Sequence, residues 1–218
     1  MDLQMKAILF DLDGTLLNTL SSISGAFNRA LQQMGYPPHP IEKYRYFIGD
    51  GVFQCAKRCL PTHEATQATL RRLVELERIE YQKSWHQQVQ PYDGITDLLV
   101  ELRNRDISTA VLTNKDQQAA EQCVHRFFPS NEFKHILGYD GSRPHKPDPD
   151  GGNWLLKKMG VDQEHAMMVG DTAVDILTGK ACKMRAVGVL WGFRDGSELN
   201  EAGADDIIQK PIELLDLL

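Results

Sequence analysis

Cysteine is scarce in this chain. The four, Cys55, Cys59, Cys123 and Cys182, fall in apparently helical or helix-end sequence without a Cys-x-x-Cys pair, so they are expected as reduced, packed thiols. Long hydrophobic runs are missing too: no apolar stretch reaches membrane length and no signal-peptide pattern opens the chain. The expectation is therefore a cytoplasmic, soluble protein with no membrane partner. Nor is there an excess of basic residues. With 24 Lys and Arg against 30 Asp and Glu, the formal net charge is -6, which disfavours a nucleic-acid partner. The seven histidines show no metal-ligand spacing, and His145 is expected as an ordinary loop residue. Internal repeats and low-complexity tracts are also lacking. At 218 residues the chain suffices for one domain, or for a core with a modest insertion.

What is present is an alternation. Apolar, strand-like runs at 7–10, 108–113, 134–137, 166–169, 186–190 and 206–208 are separated by amphipathic stretches at 95–105, 117–127, 153–159 and 174–181. That order predicts an α/β fold with a doubly wound parallel sheet. From about Ser21 to Gln90 the pattern breaks: no strand is evident and polar helices dominate, notably over 62–88. The breakers Gln90-Pro91-Tyr92-Asp93-Gly94 mark its exit. The expected organisation is a catalytic core of residues 1–17 and 92–218 and an inserted helical module of residues 18–91. The charge-rich helix from Arg71 to Lys83 is expected as a solvated face, and Trp154 and Trp191 as packing residues.

The chemistry-bearing residues collect where the predicted strands end. Asp11-Leu12-Asp13-Gly14-Thr15 follows the apolar run Ala7–Phe10, so both carboxylates sit at the strand end where open α/β sheets bind ligands. Two crowded carboxylates in a dry site need a cation or a proton, and a divalent metal is the simplest relief; an Asp-x-Asp-Gly segment is also an ordinary turn. Thr113 and Asn114 end the next core strand and can hydrogen-bond phosphate oxygens, or cap the following helix. Lys146 stands in the proline-stiffened loop Pro144-His145-Lys146-Pro147-Asp148-Pro149, where a fixed ammonium suits a phosphate dianion. Gly170-Asp171-Thr172-Ala173-Val174-Asp175 places two acids four apart at a helix start. Both could face a metal, magnesium being satisfied by a few carboxylates and waters; acids at a helix N-terminus also have a purely structural use.

In this order the motifs resemble those of the haloacid dehalogenase superfamily of phosphatases, over essentially the whole chain. The closest subgroup is similar to phosphoglycolate phosphatases, with Ile48-Gly49-Asp50-Gly51-Val52, Gly179-Lys180-Ala181 and Trp191-Gly192-Phe193 as supporting features. The resemblance implies a magnesium-dependent phosphatase acting on a small phosphorylated metabolite, 2-phosphoglycolate foremost. Asp11 would be the nucleophile and Asp13 the general acid and base. Thr113, Asn114 and Lys146 would hold the phosphate, and Asp11, Asp13, Asp171 and Asp175 the Mg2+. The insertion would be a small helical cap that closes over the core, with Gly49, Asp50, Gly51, Lys57 and Arg58 as its specificity residues. A phosphosugar mutase of the same superfamily and an inactive phosphate-binding protein are the alternatives. Two departures stand out: Asn18 where relatives often carry aspartate, and Asp150-Gly151-Gly152 where a helix-forming segment is usual. The second is expected to loosen the start of the next helix.

Overall fold

The computed structural model describes residues 4–218. In chain order the elements are β1 (Ala7–Phe10), β2 (Leu17–Asn18), α1 (Leu20–Gln33), α2 (Ile41–Phe47), α3 (Val52–Cys59), α4 (Gln67–Ser84), β3 (Gln90–Pro91) and α5 (Ile95–Asn104). There follow β4 (Ser108–Asp116), α6 (Gln117–Phe127), β5 (Ile136–Tyr139), α7 (Asp150–Met159), β6 (Ala166–Gly170), α8 (Ala173–Ala181), β7 (Arg185–Val189), α9 (Gly196–Glu201) and β8 (Asp206–Ile208). The chain divides into two compact units, one of residues through Leu17 with Pro91–Leu218, the other Asn18–Gln90. Among the described residues no helix is long and apolar enough to cross a membrane. All four cysteines are buried and unbridged.

The first unit is built on a six-stranded sheet in the order β5-β4-β1-β6-β7-β8, and every strand pairing is parallel. β1 reads Ala-Ile-Leu-Phe without alternation because both its faces are covered, and its four side chains are buried. Each of its large side chains contributes roughly 1.5–3 kcal/mol by leaving water. The register places Phe10 opposite Val111 of β4 and Val169 of β6. Asp11 and Asp171 therefore follow their strands, and Thr113 lies in β4 two residues past the partner of Phe10, all at the carboxyl edge where such sheets take ligands.

Two expectations change at the helices. α7 begins at Asp150, three residues earlier than predicted, and Gly151 and Gly152 are buried within it. A Cβ on Gly152 would lie 2.5 Å from Cys182 Sγ, and one on Gly151 would lie 3.1 Å from Leu112 Cδ1. The two glycines let the helix start press onto β4 and Cys182, which outweighs their poor helix propensity.

The second unit is helical. α4 is capped by Thr66, whose hydroxyl accepts the Thr69 N–H at 3.2 Å. Its charged residues are not all solvated: Glu77 and Glu80 are buried. Glu80 takes Arg29 Nε at 3.0 Å and Gln33 Nε2 at 3.1 Å from α1, and Lys83 Nζ at 2.6 Å from its own helix. A buried acid so surrounded ties α1 to α4, an outcome a helix-face count of charges does not reveal. Tyr44 is fully buried beside Phe27, with ring centroids 6.1 Å apart.

Candidate active site

Asp11 leaves β1 with its N–H still bonded to Val169 O at 2.9 Å, so its backbone is fixed by the sheet itself. The chain then folds into a turn in which the N–H groups of Leu16 and Leu17 reach Leu12 O at 3.1 and 3.0 Å. Gly14 occupies the left-handed region at φ 90°, and a Cβ there would lie 2.3 Å from Asp171 Oδ2. Glycine is required on both counts. Asp171, at the end of β6, is fully buried. Its Oδ1 accepts the Thr15 hydroxyl at 3.0 Å and its Oδ2 the Phe193 N–H at 2.8 Å. Trp191 Nε1 donates to Thr15 O at 2.9 Å, so this tryptophan braces the turn.

Lys146 joins the acids. Its Nζ lies 2.9 Å from Asp11 Oδ1 and 2.6 Å from Asp175 Oδ1, and its side chain is only 3% exposed. The main chain of Lys146 is gripped by Asn114: Nδ2 donates to Lys146 O at 3.1 Å and Oδ1 accepts Lys146 N–H at 2.7 Å. The Asn114 side chain thus serves the lysine loop. Thr113 is buried, and its hydroxyl accepts the Lys115 N–H at 3.3 Å. The helix-capping alternative for this pair is not what forms, since α6 is preceded by Asp116. Asp175 also has a structural duty: its Oδ2 accepts both the N–H and the hydroxyl of Thr172, at 3.1 and 2.9 Å, at the start of α8.

Ligand oxygens of Asp11, Asp171 and Asp175 lie within 4.8 Å of one another, all three residues buried. Burial, opposed by Lys146 and reinforced by Asp175, pushes the Asp11 carboxyl up to about 6. Burial, then Asp175 and Asp11, holds Asp171 well above the usual carboxylate range. For Lys146 burial acts in the opposite direction, yet the Asp11 and Asp175 charges outweigh it and keep the ammonium above the ordinary lysine value. Of the three acids, two pair with the ammonium, and the third, Asp171, is held by Thr15 and the Phe193 N–H. Asp11 Oδ1 is buried and paired with the Lys146 ammonium. Three buried carboxyls with ligand oxygens this close, and an ammonium that pairs with two of them, make an oxygen-only cluster that fits a hard divalent cation.

Sequence reasoning missed Lys115. Its Nζ contacts both oxygens of Asp13, at 3.1 and 3.0 Å. Its place two residues after Thr113, at the same polar strand end, was the available signal. Thr15 and the Phe193 N–H, both holding Asp171, were missed as well. Gly49, Asp50, Gly51, Lys57 and Arg58 lie in the helical unit. There Asp50 and Arg58 form an ion pair with each other, Arg58 also donates to Phe47 O at 2.9 Å, and Gly49 and Gly51 take φ of 131° and 86°. His145 stacks on Tyr139 with centroids 3.7 Å apart, in keeping with a loop-packing role.

Known proteins resemble this chain along nearly its whole length. A phosphoglycolate phosphatase of Vibrio parahaemolyticus is 29% identical over 98% of this chain and 96% of its own. Phosphoglycolate phosphatase 1 of Pseudomonas aeruginosa is 29% identical over 96% of this chain and 78% of its own. The solved structure of a haloacid dehalogenase-like family hydrolase from Streptococcus pneumoniae superposes with a TM-score of 0.88 at 27% identity, covering 98% of each chain. Residues 8–189 match the family model of the haloacid dehalogenase-like hydrolases, and the chain belongs to that family.

Proposed function

We propose that this hydrolase is a magnesium-dependent phosphatase of small phosphate monoesters, with 2-phosphoglycolate as the preferred substrate and Asp11 as the nucleophile. The observation that carries the reading is the Asp11 carboxylate at the end of β1, touched by Lys146 and clustered with Asp171 and Asp175. The substrate rests on the names of the Vibrio and Pseudomonas relatives.

The reaction is a double displacement. An Asp11 oxygen attacks phosphorus in line, the ester P–O bond breaks, and the phosphoryl group rests on Asp11 as an acyl phosphate. Asp13 gives its proton to the departing ester oxygen, then takes one from the water that attacks the acyl phosphate, which restores both aspartates. Lys146, the Thr113 hydroxyl and the Asn114 N–H hold the nonbridging oxygens where charge shifts in the transition state. Asp11, the Asp13 carbonyl and Asp171 would hold Mg2+, with Asp175, which pairs with the Lys146 ammonium and takes the Thr172 N–H, acting through water. Bound there, the ion supplies positive charge that offsets repulsion between the phosphate dianion and the attacking carboxylate. The test is inorganic phosphate release from 2-phosphoglycolate and a panel of sugar phosphates, with and without Mg2+. Magnesium-dependent release, fastest on 2-phosphoglycolate, supports the reading. Turnover undiminished in chelator removes the metal, and transfer to sugar without free phosphate removes the hydrolase.

A further inference from the structure

We infer that Lys115 is a positioning residue for proton transfer, fixing the Asp13 carboxylate in direction, and that an irregularity at the end of β4 aims it there. The inference rests on the proposed acid and base role of Asp13. Its ground is the pairing of β4 with β5, which matches Leu112 to Leu137 and then Asp116 to Tyr139. β4 therefore runs four residues while β5 runs two. A bulge of this kind takes residues out of the ladder and re-aims their side chains. The three residues released are Thr113, Asn114 and Lys115, and each finds its own task. Thr113 accepts the Lys115 N–H, Asn114 grips the Lys146 main chain, and Lys115 reaches Asp13.

The segment is braced from behind. A Cβ on Gly138 of β5 would lie 2.7 Å from Lys115 O and 2.8 Å from Gln117 Cα, so the strand comes closer there than any residue with a side chain allows. Gln117 Oε1 accepts the Gly138 N–H at 2.6 Å and its Nε2 donates to Ile136 O at 3.1 Å. With the main chain pinned, the lysine stem spans to Asp13, whose side chain is 11% exposed against 8% for Lys115. An exposed lysine–aspartate pair contributes little. This one is nearly buried, contacts both carboxylate oxygens, and acts on a group two residues from the nucleophile. Two contacts from one ammonium restrict the rotamers of a side chain whose proton must travel along a defined line. In the acid step Asp13 carries the proton on one oxygen while Lys115 steadies the other, and in the base step Lys115 steadies the carboxylate that takes the proton.

The test measures kcat on 2-phosphoglycolate, whose leaving group is a poor one, and on p-nitrophenyl phosphate, whose leaving group departs without protonation. The proteins are the wild type, K115M, K115R, D13N and D13N/K115M. K115M should lose about a hundredfold on 2-phosphoglycolate, the usual effect of a small misplacement of a catalytic group, and much less on p-nitrophenyl phosphate. K115R should recover roughly tenfold of that loss, and D13N/K115M should be no worse than D13N, since Lys115 acts only through Asp13. Equal losses of K115M on both esters, or an additive loss in the double variant, would overturn the inference while D13N alone keeps its dependence on the leaving group. A D13N protein indifferent to the leaving group brings down the acid reading of Asp13 itself, and this inference with it. Should K115M not fold, K115Q, which retains a donor toward Asp13, is read on the same esters for the same split.

Discussion

Replacing the proposed nucleophile, Asp11, should make the metal-free protein more stable. Asp11→Asn is nearly isosteric, keeps an oxygen facing Lys146, and removes one of the three clustered negative charges. A carboxyl raised by burial from 3.8 to about 6 binds more protons folded than unfolded between those values. The Asp11 contribution to wild-type stability therefore falls as pH rises from about 4 to about 6 and is level above. At about 1.4 kcal/mol per pH unit, the ionised Asp11 costs the folded state about 3 kcal/mol at neutral pH. Asparagine, standing in for the neutral acid, escapes that cost. Metal-free D11N should then melt roughly 6–12 °C above wild type at pH 7.5, at roughly 2–4 °C per kcal/mol for a chain of this size, and near it at pH 4. Thermal melts in EDTA across that pH range are the assay. With Mg2+ present the wild type should recover ground, by about 2.7 kcal/mol at a hundredfold excess over Kd, and D11N much less. A metal-free D11N protein clearly less stable than wild type at pH 7.5 would refute the reasoning: attraction to Lys146, not burial, would then govern Asp11.

Mg2+ affinity should fall about tenfold per pH unit below about 6, because ligation requires the Asp11 carboxylate and so displaces its proton; titration calorimetry between pH 5 and 7.5 checks this, and a flat profile contradicts it. Lys146→Ala leaves buried Asp11 and Asp175 without their shared cation and should cost about 3–5 kcal/mol, read as a lowered midpoint in urea at pH 7.5. Gly152→Ala sets a methyl 2.5 Å from Cys182 Sγ and should cost about 1–3 kcal/mol by overpacking; the double change with Cys182→Ala should recover most of it if that contact is the cause.

The parallel sheet was legible because β1, β4 and β6 carry unbroken apolar runs that end in charged or polar residues, and a strand buried on both faces can be written in few other ways. Asp11, Lys146, Asp171 and Asp175 were legible for a related reason: each follows a strand, stands in a stiff loop or opens a helix just past a strand, and their order in the chain is itself a signal. Lys115 escaped because a strand residue is assigned a side by simple alternation, and the bulge that redirects it depends on pairing with β5, a partner 21 residues and more away in the sequence. Thr15 and the Phe193 N–H escaped because they act by holding Asp171, through a turn and a backbone group. Gly151 and Gly152 were misjudged by propensity. Their worth lies in closeness to Leu112 and Cys182, a tertiary fact that overrides the local one. The burial of Glu80 was hidden likewise, since its partners Arg29 and Gln33 lie on a different helix.

The central claim is that the phosphoryl group passes through Asp11, and chemical trapping tests it most directly. Borohydride added during turnover of 2-phosphoglycolate reduces an acyl phosphate to the alcohol, which leaves a stable homoserine wherever the intermediate stood. Peptide mapping by mass spectrometry should find that product at position 11, dependent on substrate, and with p-nitrophenyl phosphate, which loads Asp11 without acid help, stronger in D13N, where breakdown of the intermediate is slowed. Reduction at any other carboxylate, or continued phosphate release with no reducible intermediate at position 11, would contradict the account.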